Sequence, residues 1–330
     1  MTKRRYISQL GGNETVEDVF LASDKQLRPN RAGNLYLQVR LSDKSGSVTA
    51  MMWNANDKIY RRFENGDYVR IEGKSQVYNG ALQLILRDIE RVETEVDEGE
   101  FFAVSKHSVE ELTDELRRFL ESLEDPALRR LAVVFLQDER FVKQLQSAPA
   151  GVKLHHAYRG GLLEHIVNLL RVADRVAPLY ESVDPDLLKM GVFLHDLGKI
   201  EELSFERDLA YSDRGQLVGH IVQGVQMLDR RIAEWESQSN ESFPEELRMR
   251  LEHLIVSHHG TQEFGSPRVP MTPEAVALHF LDNLDAKLHA IEQVLASEVN
   301  PESAWTPYEA SLGRKLFRGH SSGRNPIESS

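Results

Sequence analysis

The sequence predicts two domains, an all-β barrel at the N-terminus followed by an all-α helical bundle. The chain has 330 residues, which is more than one hydrophobic core usually serves. Apolar and polar residues alternate in short runs between residues 16 and 92, as expected of half-buried strands. From residue 108 to about residue 318 apolar residues recur at helical spacing instead, and an acidic stretch at 93–100 separates the two patterns.

Composition narrows the class of protein. The chain is 41% hydrophobic and 28% charged, with a net charge of −12, which is ordinary for a globular protein. No stretch approaches the roughly 20 consecutive apolar residues of a membrane helix, and the N-terminus lacks an apolar signal core. We therefore expect a cytoplasmic protein with no membrane partner. Because the chain has no cysteine, any metal must be held by nitrogen and oxygen atoms.

The charge is distributed unevenly along the chain. Residues 1–95 include 15 basic and 13 acidic residues, a balance of +2, whereas the remainder has a balance of −14. A polyanion would therefore meet less repulsion at the N-terminal domain. The chain begins with a basic triplet, Lys3-Arg4-Arg5, which is typical of a solvated terminus, and residues 1–13 are predicted to form an N-terminal arm.

The barrel is predicted to span residues 14–95. Within the stretch from Val16 to Val92, alternating runs stand at 35–41, 47–53, 68–73, 76–78 and 82–86. Asn79-Gly80 joins the last two as a hairpin turn, and residues 57–63 predict a short helix that plugs the barrel. About five strands in roughly 80 residues are typical of a small closed barrel. This spacing of strands and turns resembles that of an OB-fold of the nucleic-acid-binding kind.

Three aromatic residues of the barrel are candidates for contact with single-stranded nucleic acid: Tyr36, Trp53 and Tyr78. Single strands bind such folds through aromatic platforms on which bases stack, flanked by cations. Cations stand nearby in the sequence, at Arg28, Arg31, Arg40 and Lys74. The alternative for each aromatic is packing in the barrel core, and the alternative for the cations is a solvated face.

Residues 96–107 are predicted to link the domains, and the helical domain is predicted to span 108–317. Its first helix begins with a capping box at Ser108 and Glu111. The amphipathic helices between residues 108 and 145 either pack within one subunit or supply the interface of a homo-oligomer. The last segment, 318–330, is rich in serine, glycine and arginine and predicts a disordered tail.

A histidine and an aspartate stand side by side at the end of an apolar run, at His195 and Asp196. Asp184-Pro185 predicts the start of a helix, and Gly198 is a candidate for the left-handed residue that ends it. The pair would then lie in the last helical turn, facing a cleft. An imidazole and a carboxylate there can hold one divalent cation, or the carboxylate can bridge two. The alternative is a core histidine beside a solvated aspartate.

All twelve histidines lie after residue 106, and several accompany the pair in a recognisable order. The further members are His165, His220, His258, His259 and Asp282. Each of them is predicted on a different helix, except that His258 and His259 are adjacent and share one. The ordered series resembles the metal ligands of the HD-domain phosphohydrolases. The resemblance makes these residues and the pair ligand candidates, for one metal ion or two. Asp285, one turn beyond Asp282, is an alternative ligand or a partner of one.

The loop before His165 contains further candidates for contact with phosphate. His156 and Arg159 lie closest to Gly160-Gly161, which precede the helix of His165. The alternative for both is simple exposure on a loop. Lys199 follows Asp196 by about one helical turn and is a candidate for a phosphate-facing cation; its alternative is compensation of the helix dipole.

The chain as a whole resembles the YhaM family of 3′-to-5′ exoribonucleases. The resemblance runs from about residue 14 to residue 317. It rests on the order of the two domains and on the segments at 160–165, 195–199, 257–260, 263–267 and 281–287. It implies a metal-dependent nuclease of single-stranded RNA, with single-stranded DNA as a further substrate. The implied metal is Mn²⁺, with Mg²⁺, Co²⁺ or Fe²⁺ as alternatives.

The mechanism expected from these ligands is metal-assisted hydrolysis of a phosphodiester bond. A metal pair produces hydroxide near neutral pH, and attack in line is aided by neutralisation of the developing charge. Asp196 is the expected bridging carboxylate and Lys199 the expected cation. The chain lacks the Gly-Tyr-Pro signature of the cyclic-dinucleotide phosphodiesterases. Two other functions remain open: a phosphohydrolase of small nucleotides, in which the barrel regulates or assembles the enzyme, and a non-enzymatic binder of single strands.

Overall fold

The fold follows from a computed structural model. It describes residues 4–78, 81–94, 96–101, 107–151, 158–204, 210–296, 303–310 and 312–319. The N-terminal part is a five-stranded closed barrel and the C-terminal part is a bundle of helices. The predicted fold class is therefore confirmed. The tail predicted at 318–330 lies outside the described residues from residue 320 onward.

The barrel consists of strands β1 to β5, at Thr15–Pro29, Leu35–Asp43, Gly46–Trp53, Tyr68–Tyr78 and Ala81–Arg91. Its strand order is β1-β2-β3-β5-β4, and β1 closes the ring because it pairs with both β2 and β4. All these pairings are antiparallel except β3 with β5. Alternate residues point inward, so that Leu37, Val39 and Leu41 on β2 are fully buried.

The predicted short helix is present as α1, Asp57–Tyr60, between β3 and β4. Asn56 caps its first turn by accepting a hydrogen bond from the Ile59 amide at 3.0 Å. The buried Lys25 ammonium donates to the carbonyl of Tyr60 at 3.0 Å and to that of Phe63. These bonds satisfy the last carbonyl of the helix and one in the segment that follows it.

The bundle consists of nine α-helices among the described residues and one short hairpin. The helices are α2 to α10, at Val109–Glu121, Pro126–Gln137, Glu139–Ser147, Gly161–Val176, Pro185–Leu194, Lys199–Glu202, Asp213–Ser239, Glu245–Ser257 and Pro273–Ala296. The hairpin pairs β6, Leu203–Ser204, with β7, Ala210–Tyr211. Aspartates cap α3, α4 and α6, as side-chain acceptors for the first free amides of each helix.

One hydrophobic core joins the helices of the bundle. Helices α5 and α6 lie at its centre, and their apolar residues, such as Leu162, Ile166, Leu187 and Phe193, are fully buried. The polar ends of these two helices therefore meet at one place, at the edge of the core. Among the described helices, none is both long and apolar enough to cross a bilayer.

Candidate metal centre

Helices α5 and α6 bring two buried histidines together. His165 lies in the second turn of α5, and His195 is the residue at which α6 ends. Both side chains are buried, and their Nε2 atoms are 3.4 Å apart. The two positions are separated by 30 residues in the sequence, and the antiparallel packing of α5 on α6 brings their Nε2 atoms together.

Asp196 lies between two groups of histidines. Its Oδ2 atom is 3.4 Å from Nε2 of His195 and 3.8 Å from Nε2 of His165. Its Oδ1 atom is 3.6 Å from Nε2 of His220, and equally 3.6 Å from Nε2 of His258. One carboxylate oxygen therefore faces each group.

Two sets of three possible ligands are thus formed around Asp196. Within each set the donor atoms lie within 4.8 Å of one another. The first set is His165, His195 and Asp282, and the second is His220, His258 and His259. The structure brings together every residue of the ordered series predicted from the sequence.

The histidine rings are held in one orientation by their outer nitrogen atoms. Nδ1 of His195 donates to the carbonyl of Val192 at 2.8 Å, and Nδ1 of His258 donates to that of Ile255 at 2.7 Å. Because a carbonyl oxygen only accepts, Nδ1 must carry the hydrogen, and Nε2 of a neutral ring keeps its lone pair for the cleft. His259 is held in the same way by the carbonyl of Phe264, at 2.8 Å.

Carboxylates orient the two remaining rings. Nδ1 of His220 is 3.1 Å from Oε1 of Glu202, and Nδ1 of His165 is 2.7 Å from Oδ2 of Asp285. Asp282 lies on the other side of the His165 ring, with Oδ1 3.3 Å from Nε2. Of the two aspartates weighed from the sequence, Asp282 therefore faces the interior of the cluster, and Asp285 contacts the outer nitrogen of a histidine.

The electrostatics of the cluster favour a cation. Burial opposes charge on Asp196, but Lys199 and His195 outweigh it and hold the pKa of this carboxyl well below its usual range. Burial lowers the pKa of His258 to about 4, so this ring is neutral at pH 7. Burial would also lower the pKa of His165, but Asp282 and Asp285 outweigh it and raise that pKa to about 9.

The unsatisfied atoms of the cluster fit a divalent metal. Oδ1 of Asp196 and Nε2 of both His220 and His258 are buried and have no hydrogen-bond partner among the described residues. Buried polar atoms are rarely left in this state, and three that converge on one point suit a cation. The donor set is imidazole and carboxylate only, which fits first-row divalent ions such as Mn²⁺, Fe²⁺ and Co²⁺.

Gly198 has a different role from the one predicted. Its φ of −59° is right-handed, so the expectation of a left-handed residue that ends the helix was wrong. A Cβ atom at this position would lie 1.9 Å from the carbonyl oxygen of His220 and 2.7 Å from the Gly224 amide nitrogen. The missing side chain lets α8 approach the turn that carries His195 and Asp196.

Three site features were missed in the sequence. Glu202 orients His220, as described above. His279 of α10 donates from Nδ1 to the carbonyl of His258 at 2.8 Å, and its ring packs against Gly260, whose φ is +82°. Gly219, with a φ of +76°, kinks α8 immediately before His220. An isolated glycine before His220 was visible in the sequence, but no local pattern links Glu202 or His279 to the ligands.

The structure gives the positions of two of the three residues predicted to contact phosphate. Lys199 lines the cleft and its Nζ is 2.6 Å from Oδ2 of Asp196. Arg159 lies just before α5 and is not among the described residues that line the cleft. His156 lies outside the described residues. The cleft itself has a volume of about 680 Å³, within the range of small-molecule sites.

The barrel aromatics are on its outer surface. Tyr36 on β2 and Trp53 on β3 stand directly opposite each other, with ring centroids 5.3 Å apart. Trp53 is 48% exposed, so the alternative of packing in the barrel core was wrong for it. Arg28 on β1 is opposite Tyr36, which places a cation next to the two rings. Tyr78 is 62% exposed, at the end of β4.

Comparison with known proteins covers both parts of the chain. The family described as OB-fold nucleic acid binding domain matches residues 22–92, and the HD domain family matches residues 162–287. Among solved structures, the second OB-fold domain of replication protein A from Methanococcus maripaludis covers 28% of this chain and 98% of its own, at 20% identity and a TM-score of 0.22. That similarity is too low to add to the argument.

Relatives match over nearly the full length. The 3′-5′ exoribonuclease YhaM of Bacillus subtilis (strain 168) is 33% identical over 299 residues, which are 89% of this chain and 91% of the relative. The 3′-5′ exoribonuclease YhaM of Bacillus pumilus (strain SAFR-032) is 32% identical over 265 residues, or 80% and 82% of the two chains. Because this identity extends over most of both chains, and the two family matches cover the barrel and the bundle, this protein belongs to the YhaM family of 3′-5′ exoribonucleases.

Proposed function

We propose that this chain is a metal-dependent 3′-5′ exoribonuclease that hydrolyses the phosphodiester bonds of single-stranded RNA. The observation that carries the proposal is the position of Asp196, with one carboxylate oxygen facing each of two sets of histidines. The names of the YhaM relatives support the direction of digestion and the RNA substrate. Single-stranded DNA is a further proposed substrate.

The proposed ligands fall into two groups that share Asp196. His165, His195 and Asp282 would hold one divalent ion, and His220, His258 and His259 a second. When bound, such ions supply Lewis-acid chemistry, which makes water acidic near neutral pH and offsets negative charge on phosphate. Because imidazole dominates both groups, we propose Mn²⁺ as the preferred ion over Mg²⁺, with Co²⁺ and Fe²⁺ as alternatives.

Two other charged residues prepare the cleft for an anionic strand. Lys199 holds Asp196 in its ionised form by direct contact at 2.6 Å. An ammonium group has three donors, and Asp196 accepts only one, so Lys199 can also bind a phosphate oxygen. Glu202 keeps His220 oriented toward the cleft. Lys199 would neutralise the phosphodiester, where an exonuclease needs a cationic group, and Glu202 acts only through the orientation of His220.

The barrel is proposed to hold the single strand. The exposed ring of Trp53 and the half-buried ring of Tyr36 form an aromatic pair beside Arg28, and Tyr78 supplies another exposed ring. Stacking on such rings is tolerant of sequence, as a general exonuclease requires. Residues 14–95 and 108–317 remain the proposed domain boundaries, and self-association into a homo-oligomer and a cytoplasmic location remain predictions.

Digestion of 5′-labelled RNA tests the proposal. Wild-type protein is incubated with single-stranded RNA, the same DNA and a 3′-blocked RNA, in Mn²⁺, in Mg²⁺ and in chelator. A metal-dependent ladder that shortens from the free 3′ end, is lost in Asp196→Ala and is kept in Asp114→Ala, would support it. Asp114 is an exposed aspartate of α2 and serves as the matched control. Intact RNA in every metal would refute it.

A second candidate is hydrolysis of small nucleotides. The volume of the cleft, about 680 Å³, is large enough for a mononucleotide. Mononucleotides incubated with the protein under the same metal conditions distinguish the two, since release of phosphate from them with no shortening of RNA would select this alternative.

A further inference from the structure

The cleft of the candidate metal centre is lined by two aromatic side chains that do not pack in the core. Tyr211 is 49% exposed and Phe264 is 71% exposed, and both line the cleft together with the histidines. Neither belongs to the hydrophobic core of the bundle. Large apolar rings in this position are costly to leave in water, so a ligand that covers them would explain their placement.

Phe264 is held in a fixed relation to the metal centre. Its carbonyl accepts the Nδ1 hydrogen of His259, at 2.8 Å. The turn around it is closed by Gly265, which has a φ of +85° and donates to the carbonyl of Gln262 at 2.9 Å. Ser266 is buried and donates to the carbonyl of Arg268 at 2.7 Å. The backbone therefore holds Phe264 beside His259, with its exposed ring lining the cleft.

Tyr211 is held in an equivalent way on another wall. It stands opposite Leu203 in the hairpin of β6 and β7. The next residue, Ser212, donates its amide to the carbonyl of Glu202 at 2.9 Å and caps α8, which carries His220. The position of Tyr211 is thus tied to the residues that orient His220, as that of Phe264 is tied to His259.

The two parts of the cleft differ in chemistry. One part of its lining consists of His220, His258, His259, Asp196 and Lys199, which suit a phosphodiester and metal ions. Asn283 and Lys287 of α10 add polar groups to the wall. The two rings are the only large aromatic surfaces among the described residues that line the cleft. A ligand that matches this division has a charged backbone and flat apolar faces, as an unpaired nucleic acid strand does.

We propose that Tyr211 and Phe264 stack on the bases next to the scissile phosphodiester and so restrict digestion to unpaired 3′ ends. The proposal rests on the function proposed above and adds the residues that recognise the bases. In a duplex the bases stack on one another and their faces are not available, whereas the last bases of a single strand are free to stack on protein rings. Because every base has a π-face, the contact does not depend on sequence.

RNA that lacks its last two bases tests this contact directly. Steady-state kinetics are measured for wild type, Phe264→Ala and Tyr211→Ala on intact RNA and on RNA with abasic sugars at the two 3′-terminal positions. In wild type we expect the abasic end to raise KM about tenfold. In each variant we expect KM for intact RNA to rise by a similar factor. The abasic end should then raise the KM of that variant little further. If the abasic end raises KM by the same factor in wild type and in both variants, the proposal is overturned.

Matched substitutions distinguish the effect of an aromatic face from the effect of apolar side-chain size. Phe264→Trp keeps an aromatic face and should keep the low KM, whereas Phe264→Leu keeps an apolar side chain without the face and should behave like Phe264→Ala. Tyr180→Ala removes an exposed tyrosine that does not line the cleft and should leave both KM values unchanged. Since Phe264 contributes its carbonyl, not its ring, to the His259 bond, these changes preserve that bond.

A binding measurement keeps this inference separate from the proposed activity. RNA with 2-aminopurine at the 3′ end is titrated with wild type, Phe264→Ala and Tyr211→Ala in chelator, where no digestion is expected. Quenching by wild type that falls severalfold in both variants supports the stacking contact, even if no ladder is seen in the nuclease assay. Equal quenching by all three proteins overturns it, even if the nuclease assay succeeds.

Discussion

Oε1 of Glu202 accepts two hydrogen bonds from the same residue, His220, at 3.0 Å from the backbone amide and at 3.1 Å from Nδ1. The carboxylate fixes both the start of the helical segment after the kink and the direction of the imidazole. Burial opposes charge on Glu202, but contact with His220 outweighs it and lowers the pKa of this carboxyl. The ring thereby presents Nε2 to Asp196, 3.6 Å away.

We predict that Glu202→Gln weakens metal binding. Glutamine keeps the size of the side chain but removes the charge that stabilises the Nδ1 hydrogen of His220. Loss of such a partner typically costs about 10- to 100-fold in metal affinity. Titration of Mn²⁺ into metal-free protein, followed by electron paramagnetic resonance, measures this. Glu201→Gln is the control, since Glu201 is in the same short helix but pairs with Arg230 at the surface. Equal Mn²⁺ affinities in all three proteins would contradict the prediction.

We predict that Gly198→Ala destabilises the bundle by about 3 kcal/mol or more. The added methyl group would overlap the carbonyl oxygen of His220 at 1.9 Å, and backbone atoms cannot move away as a flexible side chain can. Chemical denaturation, monitored by the circular dichroism of the helices, measures the loss of unfolding free energy. Gly12→Ala is the control, because its nearest neighbour is Cγ2 of Val77 at an ordinary 3.4 Å. A cost for Gly198→Ala no larger than that for Gly12→Ala would refute the clash.

Gly198 also shows where prediction from sequence ends. The barrel and the helix starts were predicted because their signals are local: alternation for the strands, a capping box for α2, and an aspartate followed by proline for α6. The role of Gly198 depends on the approach of α8, whose His220 is 22 positions away in sequence. The ligand series itself was predicted through its resemblance to a known family, because each ligand comes from a separate part of the chain.

We predict a pH-dependent stabilisation by Glu274. Its side chain is buried, accepts the Asp184 amide at 2.9 Å and lies 3.1 Å from Arg250. Burial alone would raise the pKa of Glu274, but these partners outweigh it and lower the pKa. A carboxyl with a lowered pKa in the folded state stabilises the protein above its unfolded pKa of about 4.3 and loses this as pH falls through the folded value.

Glu274→Gln should therefore cost about 1 to 3 kcal/mol at pH 7 and progressively less below pH 4. Urea denaturation between pH 3 and pH 8 measures both proteins. Glu245→Gln changes an exposed glutamate at the start of α9 and should change the unfolding free energy little at any pH. A difference between wild type and Glu274→Gln that stays constant from pH 8 to pH 3 would rule out the ionised carboxylate as its source.

The last prediction concerns the barrel, where the exposed Trp53 pairs with the half-buried Tyr36 next to Arg28. We predict that Trp53→Ala lowers affinity for a 20-nucleotide RNA by about 5- to 100-fold, since stacking of one base contributes about 1 to 3 kcal/mol. Trp53→Phe keeps a stacking face and should lose much less. Hydrolysis of a dinucleotide, too short to need the barrel, should be unchanged. Fluorescence anisotropy of labelled RNA measures the affinity, and equal affinity of wild type and Trp53→Ala would exclude this surface as a binding platform.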